Sequence, residues 1–354
     1  MKRYILTAGW APAAGNAFQK ARADIETLAL ASGLEPLPLF APQTAGGNRL
    51  KQIWLMLVCL SDWVRVGVRV RRGSMILAQY PMYPVKGGVL MRRMIPLIQR
   101  WKQCKFVALV HDLDSLRGID GASAQANDLH LLPCFHRLIC HNGKMQAHLI
   151  RQGIPEHKLV ILGLFDYLTD AGFSTPSLAA SVNVAGNLLP EKSGYLYAIR
   201  EHPPCMLHLY GNGYVPDEGN NAVQYHGAMP AQALPACLQG AFGLVWDGES
   251  AQTCTGAFGE YLRYNNPHKA SLYLAGGVPL VVWSGSALAD IVRTEELGIV
   301  IDSLAQLGDM LKAVTMEQYT RMTRKAREMG TALRQGDHFR KALESVIQRI
   351  DVES

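Results

Sequence analysis

The chain has 354 residues, 49% of them apolar; it is too long for a small module, too hydrophobic to stay disordered, and suits two domains of ordinary size. Its 35 lysines and arginines against 29 aspartates and glutamates give +6, an excess that fits an anionic ligand, nucleic acid or an anionic membrane and selects none of them. Placement says more: between Arg49 and Lys105 twelve basic residues accompany a single acid, Asp62, so that stretch carries +11 and the rest of the chain −5.

The longest apolar run, Ile53 to Leu60, falls well short of the ~18 residues that span a bilayer. Met1-Lys2-Arg3 and the apolar residues after it imitate a signal peptide, but Gly9, Pro12 and Gly15 interrupt it, as a first strand and a glycine-bearing loop would. Seven cysteines (59, 104, 134, 140, 205, 237 and 254) make an odd set without a C-x-x-C pair. They predict free thiols and a cytosolic chain.

Short β-branched or aliphatic runs alternate with helical patterns, which predicts parallel sheets covered by helices. In the first half the strands are expected at 4–8, 36–40, 75–80, 105–111, 137–141 and 158–165, with helices at 16–32, 48–72, 87–102 and 144–152. Gly172, Ser174, Thr175, Pro176 and Ser177 then read as an interdomain linker. Further strands are expected at 181–186, 206–210, 222–225, 242–246, 278–282 and 298–301. Helices should fill 191–200, 230–238, 267–275, 286–295 and the tail from Met316. The expected domains are 1–170 and 171–330, with a terminal helix in 331–354 returning to the first domain. Two α/β units form a cleft, and ligands of such sheets bind beyond the carboxyl ends of the strands.

The most informative segment runs from Tyr264 through Asn265-Asn266-Pro267-His268-Lys269 to Gly277. Asn266 suits an N-cap, Pro267 the first helical position, and Gly276 or Gly277 the C-terminal end. Lys269 then stands in the first turn, where its ammonium, the backbone N–H groups and the helix dipole converge as a phosphate or diphosphate requires. Asp247 and Gly248 end an apolar strand, where a carboxylate can accept hydrogen bonds from sugar hydroxyls. Val184-Ala185-Gly186-Asn187 with Lys192, and Leu209-Tyr210-Gly211-Asn212-Gly213, repeat the pattern of glycine, amide and base after a strand.

In the first half, His111-Asp112-Leu113-Asp114-Ser115-Leu116-Arg117 follows a strongly apolar strand. These groups suit deprotonation of a hydroxyl nucleophile. They read equally as a capping aspartate ion-paired to Arg117. Asp112 and Asp114 also have the spacing of a D-x-D site for Mn²⁺ or Mg²⁺, and a metal-dependent transferase is the weaker alternative; the lysine and helix dipole expected at the phosphate argue against a required metal. His130, Cys134, His136 and Cys140 match no zinc spacing and read as core groups. Trp54, Met56 and Trp63 beside Arg65, Arg69, Arg71 and Arg72 read as a membrane-touching amphipathic helix or an ordinary surface helix. The aromatics are not interleaved with the arginines as base stacking requires, which excludes nucleic acid as partner.

On these residues the chain resembles bacterial glycosyltransferases of the GT-B fold that include the glucosyltransferase 3-like enzymes of adhesin glycosylation and the β-1,6-galactofuranosyltransferases of surface polysaccharide assembly. The resemblance rests on 111–117, on Cys140-His141-Asn142-Gly143-Lys144-Met145 continuing to Leu164-Phe165-Asp166-Tyr167-Leu168, on 185–188, on 243–248 and on 261–275. It implies two Rossmann-like domains with parallel sheets facing a central cleft. It also implies an inverting hexosyltransferase without cofactor or metal, its donor a UDP-sugar bound in the second domain, its acceptor a glycan on a lipid carrier or an adhesin glycoprotein.

Carried over, the donor contacts are Asn187, Lys192, Tyr210, Gly211, Asp247, Asn266 and Lys269; Asp112 is the candidate base, His111 the second, and Ser115 and Arg117 meet the acceptor. The family has a basic residue soon after Gly-Asn-Leu, whereas Leu189, Pro190 and Glu191 precede Lys192 here. The resemblance further implies a homo-oligomer, and the basic stretch 49–105 a peripheral contact with the cytoplasmic face of a membrane. The alternative is a non-catalytic GT-B-like chain that binds a glycan beside another transferase.

Overall fold

A computed structural model describes residues 1–8, 17–41, 49–82, 88–118, 121–201, 203–216 and 221–353. The expected loop at Gly9, Pro12 and Gly15, and Lys86 of the basic stretch, lie outside them. The first half runs β1 (Arg3–Ala8), α1 (Ala17–Ala31), β2 (Glu35–Leu39), α2 (Arg49–Arg69), β3 (Met75–Tyr80), α3 (Gly88–Lys102), β4 (Lys105–Val110), α4 (Gly121–His130), β5 (Arg137–Cys140), α5 (Gly143–Arg151) and β6 (Leu159–Ile161). The second half runs β7 (Ser181–Asn187), α6 (Pro190–Ile199), β8 (Met206–Asn212), β9 (Val223–Gly227), α7 (Leu234–Cys237), β10 (Phe242–Val245), α8 (Gly256–Tyr261), α9 (His268–Ala275), β11 (Leu280–Trp283), α10 (Leu288–Thr294), β12 (Gly298–Ile301), α11 (Leu307–Ala313), α12 (Met316–Gln335) and α13 (Asp337–Val352).

The chain forms two compact units. One is built on Ile25–Leu162, with β1 and the chain from Arg340 onward; the other is built on Gly163–Phe339, with the opening turns of α1. Each contains one six-stranded sheet whose paired strands are all parallel.

In the first unit the strand order is β2-β1-β3-β4-β5-β6. The central strands read as near-continuous apolar runs because helices cover both faces, and all six residues of β3 are buried. Trp63 of α2 is fully enclosed and meets Phe106 of β4 with ring centroids 6.1 Å apart. Trp63 therefore belongs to the core, which corrects its grouping with Trp54 and Met56 as a surface residue. The chain's end is fastened within this unit: Lys105 Nζ donates to Ile350 O at 3.2 Å, and Glu353 pairs with Arg137 and His136. The strand expected over 158–165 is shorter, because the backbone turns at Gly163 with φ +86°.

In the second unit the order is β12-β11-β10-β7-β8-β9. Counted from its own first strand, β7, this is the 3-2-1-4-5-6 order of a dinucleotide-binding sheet, and the order reverses between β7 and β10. Gly243 of β10 lets α9 approach: a Cβ there would lie 2.2 Å from the Tyr273 ring. Arg334 of α12 donates to Ala275 O, placing a cation on the carbonyl end of α9. The tail helix expected from Met316 is broken at Gly336, whose φ of +81° closes α12 before α13 starts.

Candidate functional site

In the second unit, side chains gather where the strand order reverses. β10 ends at Val245, Trp246 is fully buried, and Asp247 follows with 5% of its surface exposed. Gly248 turns the chain at φ +106°, and its Cβ would fall 2.2 Å from Thr255 O. No other residue fits that turn without moving the 248–255 loop. Gly248 also ties this loop to α6, donating from its N–H to Lys192 O at 2.8 Å and accepting from Tyr195 N at 3.1 Å.

Lys269 reaches Asp247 from the first turn of α9, with Nζ 2.7 Å from Asp247 Oδ1 and 2.9 Å from Trp246 O. Both side chains are largely enclosed, at 12% and 7% exposure. Two of the three ammonium donors are committed within the unit, which fixes the cation at the strand end. The helix begins at His268 with Pro267 as its N-cap residue, and no side chain caps it. The sequence expectation that Asn266 caps the helix is therefore corrected: its side-chain amide instead donates to Gly163 O at 2.9 Å. Proline at the N-cap has already set the entry of the backbone, so Asn266 is released to hold the neighbouring turn.

His268 stacks on Tyr167 with ring centroids 5.0 Å apart and meets Phe165 edge-on at 6.3 Å. Burial, reinforced by the Lys20 ammonium, pushes its imidazole down to about 3. The buried Nε2 of His268 and Oδ1 of Asn265 have no hydrogen-bond partner among the described residues. Hydrogen-bonding capacity therefore remains at the start of α9, where buried polar atoms ordinarily find a partner.

At the neighbouring strand ends, Gly186 and Gly211 are paired in register with φ of +133° and +145°. A Cβ on Gly211 would sit 1.8 Å from Gly186 O. Asn187 next to them is exposed, and its Oδ1 accepts from Leu189 N at 3.0 Å, forming an Asx turn into α6. Lys192 stands in the first turn of α6, its Nζ 5.5 Å from the Phe258 ring centroid. Tyr210 departs from this group. It is buried, its hydroxyl donates to Cys237 O at 3.0 Å and accepts from Gln239 N at 3.1 Å, and burial pushes it up to about 12.

In the first unit the expected residues lie immediately beyond β4. His111 is buried, with Nε2 2.7 Å from Gln79 Oε1. Arg117 bridges the two carboxylates, at 2.8 Å from Asp112 and 3.3 Å from Asp114. Asp112 keeps 18% of its side chain exposed against 5% for Asp114, so Asp112 is the more open of the two carboxylates. Ser115 belongs to another network: its hydroxyl and that of Tyr80 both donate to Asp128 of α4. Burial raises the Asp128 carboxyl while these hydrogen bonds lower it. Behind them His141 is fully buried, holds Val110 O at 2.9 Å and is pushed down to about 4 by burial.

The sequence alone does not single out Asp128 or His268. Asp128 had no signal beyond an acid among small residues. His268 was visible inside the Asn-Asn-Pro-His-Lys segment, but only its stacking on Tyr167 gives it a role. Cys134, His136 and Cys140 form no cluster: His136 pairs with Glu353, and Cys140 is buried in β5, its thiol pushed up to about 12.

Two family models match the chain, glucosyltransferase 3-like N-terminal domain over residues 3–164 and glucosyltransferase 3-like C-terminal domain over residues 182–346. A protein described as beta-1,6-galactofuranosyltransferase WbbI, from Escherichia coli (strain K12), is 32% identical over 261 residues, 72% of this chain and 74% of its own. Glucosyltransferase 3 of Streptococcus gordonii is 25% identical over 254 residues, 70% of this chain and 72% of its own. Among solved structures, Anabaena Alr3699/HepE in complex with UDP-glucose superposes with a TM-score of 0.59 at 13% identity, covering 98% of this chain and 100% of that one. The sucrose-phosphate synthase of Thermosynechococcus elongatus gives 0.66 at 12% identity over the full length of both. At these identities the likeness speaks to the fold, which is GT-B with two Rossmann-like domains.

Proposed function

The chain belongs to the glucosyltransferase 3-like family and is a glycosyltransferase, and from that premise we propose that it moves a hexosyl group, glucosyl or galactofuranosyl, from a UDP-sugar to a glycan hydroxyl. The observation that carries this reading is the Lys269–Asp247 pair beside the reversal of strand order between β7 and β10. A cation at the first turn of α9 meets the requirement of a diphosphate, and the carboxylate beside it meets that of sugar or ribose hydroxyls. Asn187, Gly211, Lys192 and Asn266 complete the proposed donor surface. Tyr210 acts from beneath it, by holding the 237–239 turn.

Chemically, the acceptor hydroxyl gives its proton to Asp112 as its oxygen attacks the anomeric carbon from the face opposite the UDP. The anomeric C–O bond breaks, and the electron pair leaves on the β-phosphate of UDP, where Lys269 and the N-terminal end of α9 stabilise the charge. Attack from the opposite face inverts the anomeric centre. Arg117 orients Asp112; His111, held by Gln79, is the second candidate base, and Ser115 and Arg117 meet the acceptor. Because Arg117 already bridges Asp112 and Asp114, a guanidinium offsets part of the negative charge at this strand end, which supports the metal-independent reading. The acceptor is proposed to be a glycan on a lipid carrier or a glycoprotein at the cytoplasmic face of a membrane. No described helix is long and apolar enough to cross one.

The test is incubation of the protein with UDP-glucose or UDP-galactofuranose and hexose- or GlcNAc-bearing acceptors, with and without EDTA. UDP release with one donor, unaffected by the chelator, is the expected result. A folded protein that releases no UDP with any donor and acceptor of the panel refutes the reading.

A further inference from the structure

Helix α2 carries two apolar stripes. Leu55, Cys59, Trp63 and Val66 face the core and are buried. On the opposite side Leu50, Ile53, Leu57, Leu60, Val64 and Val68 recur every three or four residues, and each is between 41% and 75% exposed. A surface helix needs only the first stripe, because its other side is solvated. Trp54, at 53% exposure, borders the outer stripe.

The neighbouring helix extends this surface. α3 lies against α2 at Gly67, where a Cβ would come 3.2 Å from the Trp101 ring. Leu97 and Trp101 of α3 are 58% and 59% exposed. Charge frames the apolar ground: Lys51 and Arg69 project from α2, Arg93 and Arg100 from α3, all exposed. The one acid between Arg49 and Lys105, Asp62, is turned inward, where it accepts from Phe40 N and Ala41 N at 2.8 Å and pairs with Arg65.

We propose that the outer face of α2 and α3 docks this unit on an anionic lipid bilayer, with the α2 stripe lying in the plane of the headgroups. Twenty-one helical residues give an apolar strip about 30 Å long. Tryptophans at its border and arginines along its rims match the amphipathic layering of an interface, apolar below and anionic at the headgroups. A second copy of this chain fits less well. A two-fold contact would bring basic rims together without one exposed acid in the stretch to answer them. This inference rests on the first unit alone and stands apart from the donor assignment, since its test reads partition rather than turnover.

The full chain is mixed with vesicles of phosphatidylcholine alone and of equal parts phosphatidylcholine and phosphatidylglycerol, then sedimented at low and high salt. Binding to the mixed vesicles, weakened by salt and nearly lost on the neutral ones, is expected. Arg69→Glu/Arg93→Glu/Arg100→Glu should weaken it roughly tenfold or more, since each basic residue near the surface contributes, and Ile53→Glu/Leu57→Glu should remove it. Brominated phosphatidylcholine in the mixed vesicles should quench wild-type fluorescence, and less so in Trp54→Phe/Trp101→Phe, a readout that needs no destabilising variant. The proposal is overturned by absent binding, by equal binding to both vesicles, by binding that survives Ile53→Glu/Leu57→Glu, or by light scattering that shows an oligomer which this variant converts to monomer.

Discussion

The two units place their candidate groups at the same station, just past the carboxyl ends of parallel strands, but hold them by different means. In the second unit the backbone does most of the holding: Gly186 and Gly211 sit face to face at positive φ, Gly248 folds the loop under Asp247, and α9 brings one lysine to one carboxylate. In the first unit the side chains hold one another, through Arg117 between two aspartates, Gln79 on His111 and Asp128 under Ser115 and Tyr80. A site fixed by backbone geometry tolerates few residues but needs few partners. A site fixed by side chains depends on every member of the network.

The sharpest way to break this comparison is Lys269→Ala. It removes the cation proposed for the diphosphate and leaves Asp247 buried without its partner, a change that costs about 3–5 kcal/mol when a buried pair is broken. Calorimetry should show no measurable UDP binding, while Asp247→Asn, which keeps the lysine and removes the buried charge, should retain part of it. UDP affinity in Lys269→Ala equal to that of the parent would move the donor site elsewhere. Next in size is Asp112→Asn. Arg117 can still pair with Asp114, so the fold should hold, and loss of the base should lower kcat by about 10²- to 10⁴-fold with UDP affinity unchanged. Unaltered kcat would transfer the role to His111 or abandon the strand end.

The same contrast explains how much was legible in the sequence. The described strands, the helices α2, α3 and α9, and the Lys269–Asp247 neighbourhood follow from apolar runs and helical patterns, several of which close on glycine, asparagine or aspartate, residue types that announce what the backbone does. Helix α4, Gly-Ala-Ser-Ala-Gln-Ala-Asn-Asp-Leu-His, shows no apolar periodicity, so it and Asp128 stayed invisible. The short helices α8 and α11 were missed likewise, being docked by tertiary contacts rather than by an apolar stripe of their own. Asn-Pro ordinarily marks a cap, whereas the Gly163 carbonyl claims the amide of Asn266. Partners distant in sequence decide such roles, and spacing along the chain does not encode them.

Backbone holding can itself be tested. Gly211→Ala would put a methyl group 1.8 Å from Gly186 O at a φ of +145°, so β7 and β8 must part at their ends. A loss of about 3 kcal/mol is expected, read as a lowered melting temperature together with weaker UDP binding. Gly143→Ala in the first unit is the counterpart, since a Cβ there meets nothing within 4 Å and alanine favours the helix. It should leave the melting temperature unchanged or raise it. Equal losses at both positions would mean that the glycines of the second unit are no more constrained than those of the first.

A further effect should appear with pH, and each unit supplies one reporter. His141 in the first unit is pushed down to about 4 and His268 in the second to about 3, from an ordinary value of 6.5, both by burial first. Each is neutral in the folded chain and takes up a proton more readily when unfolded. The unfolded state therefore binds more protons below pH 6.5, and stability falls as the pH is lowered from there. The slope should be at most about 1.4 kcal/mol per pH unit for each histidine. His141 stops contributing to it near pH 4, once the folded form also binds its proton, whereas His268 continues to about 3. Melting curves of the parent, His141→Gln and His268→Gln between pH 7 and 3 separate the two. Each substitution should flatten the acid limb. A limb unchanged by His268→Gln would show that its ring is not held neutral between Tyr167 and Phe165, and that the start of α9 is more open to water than its packing implies.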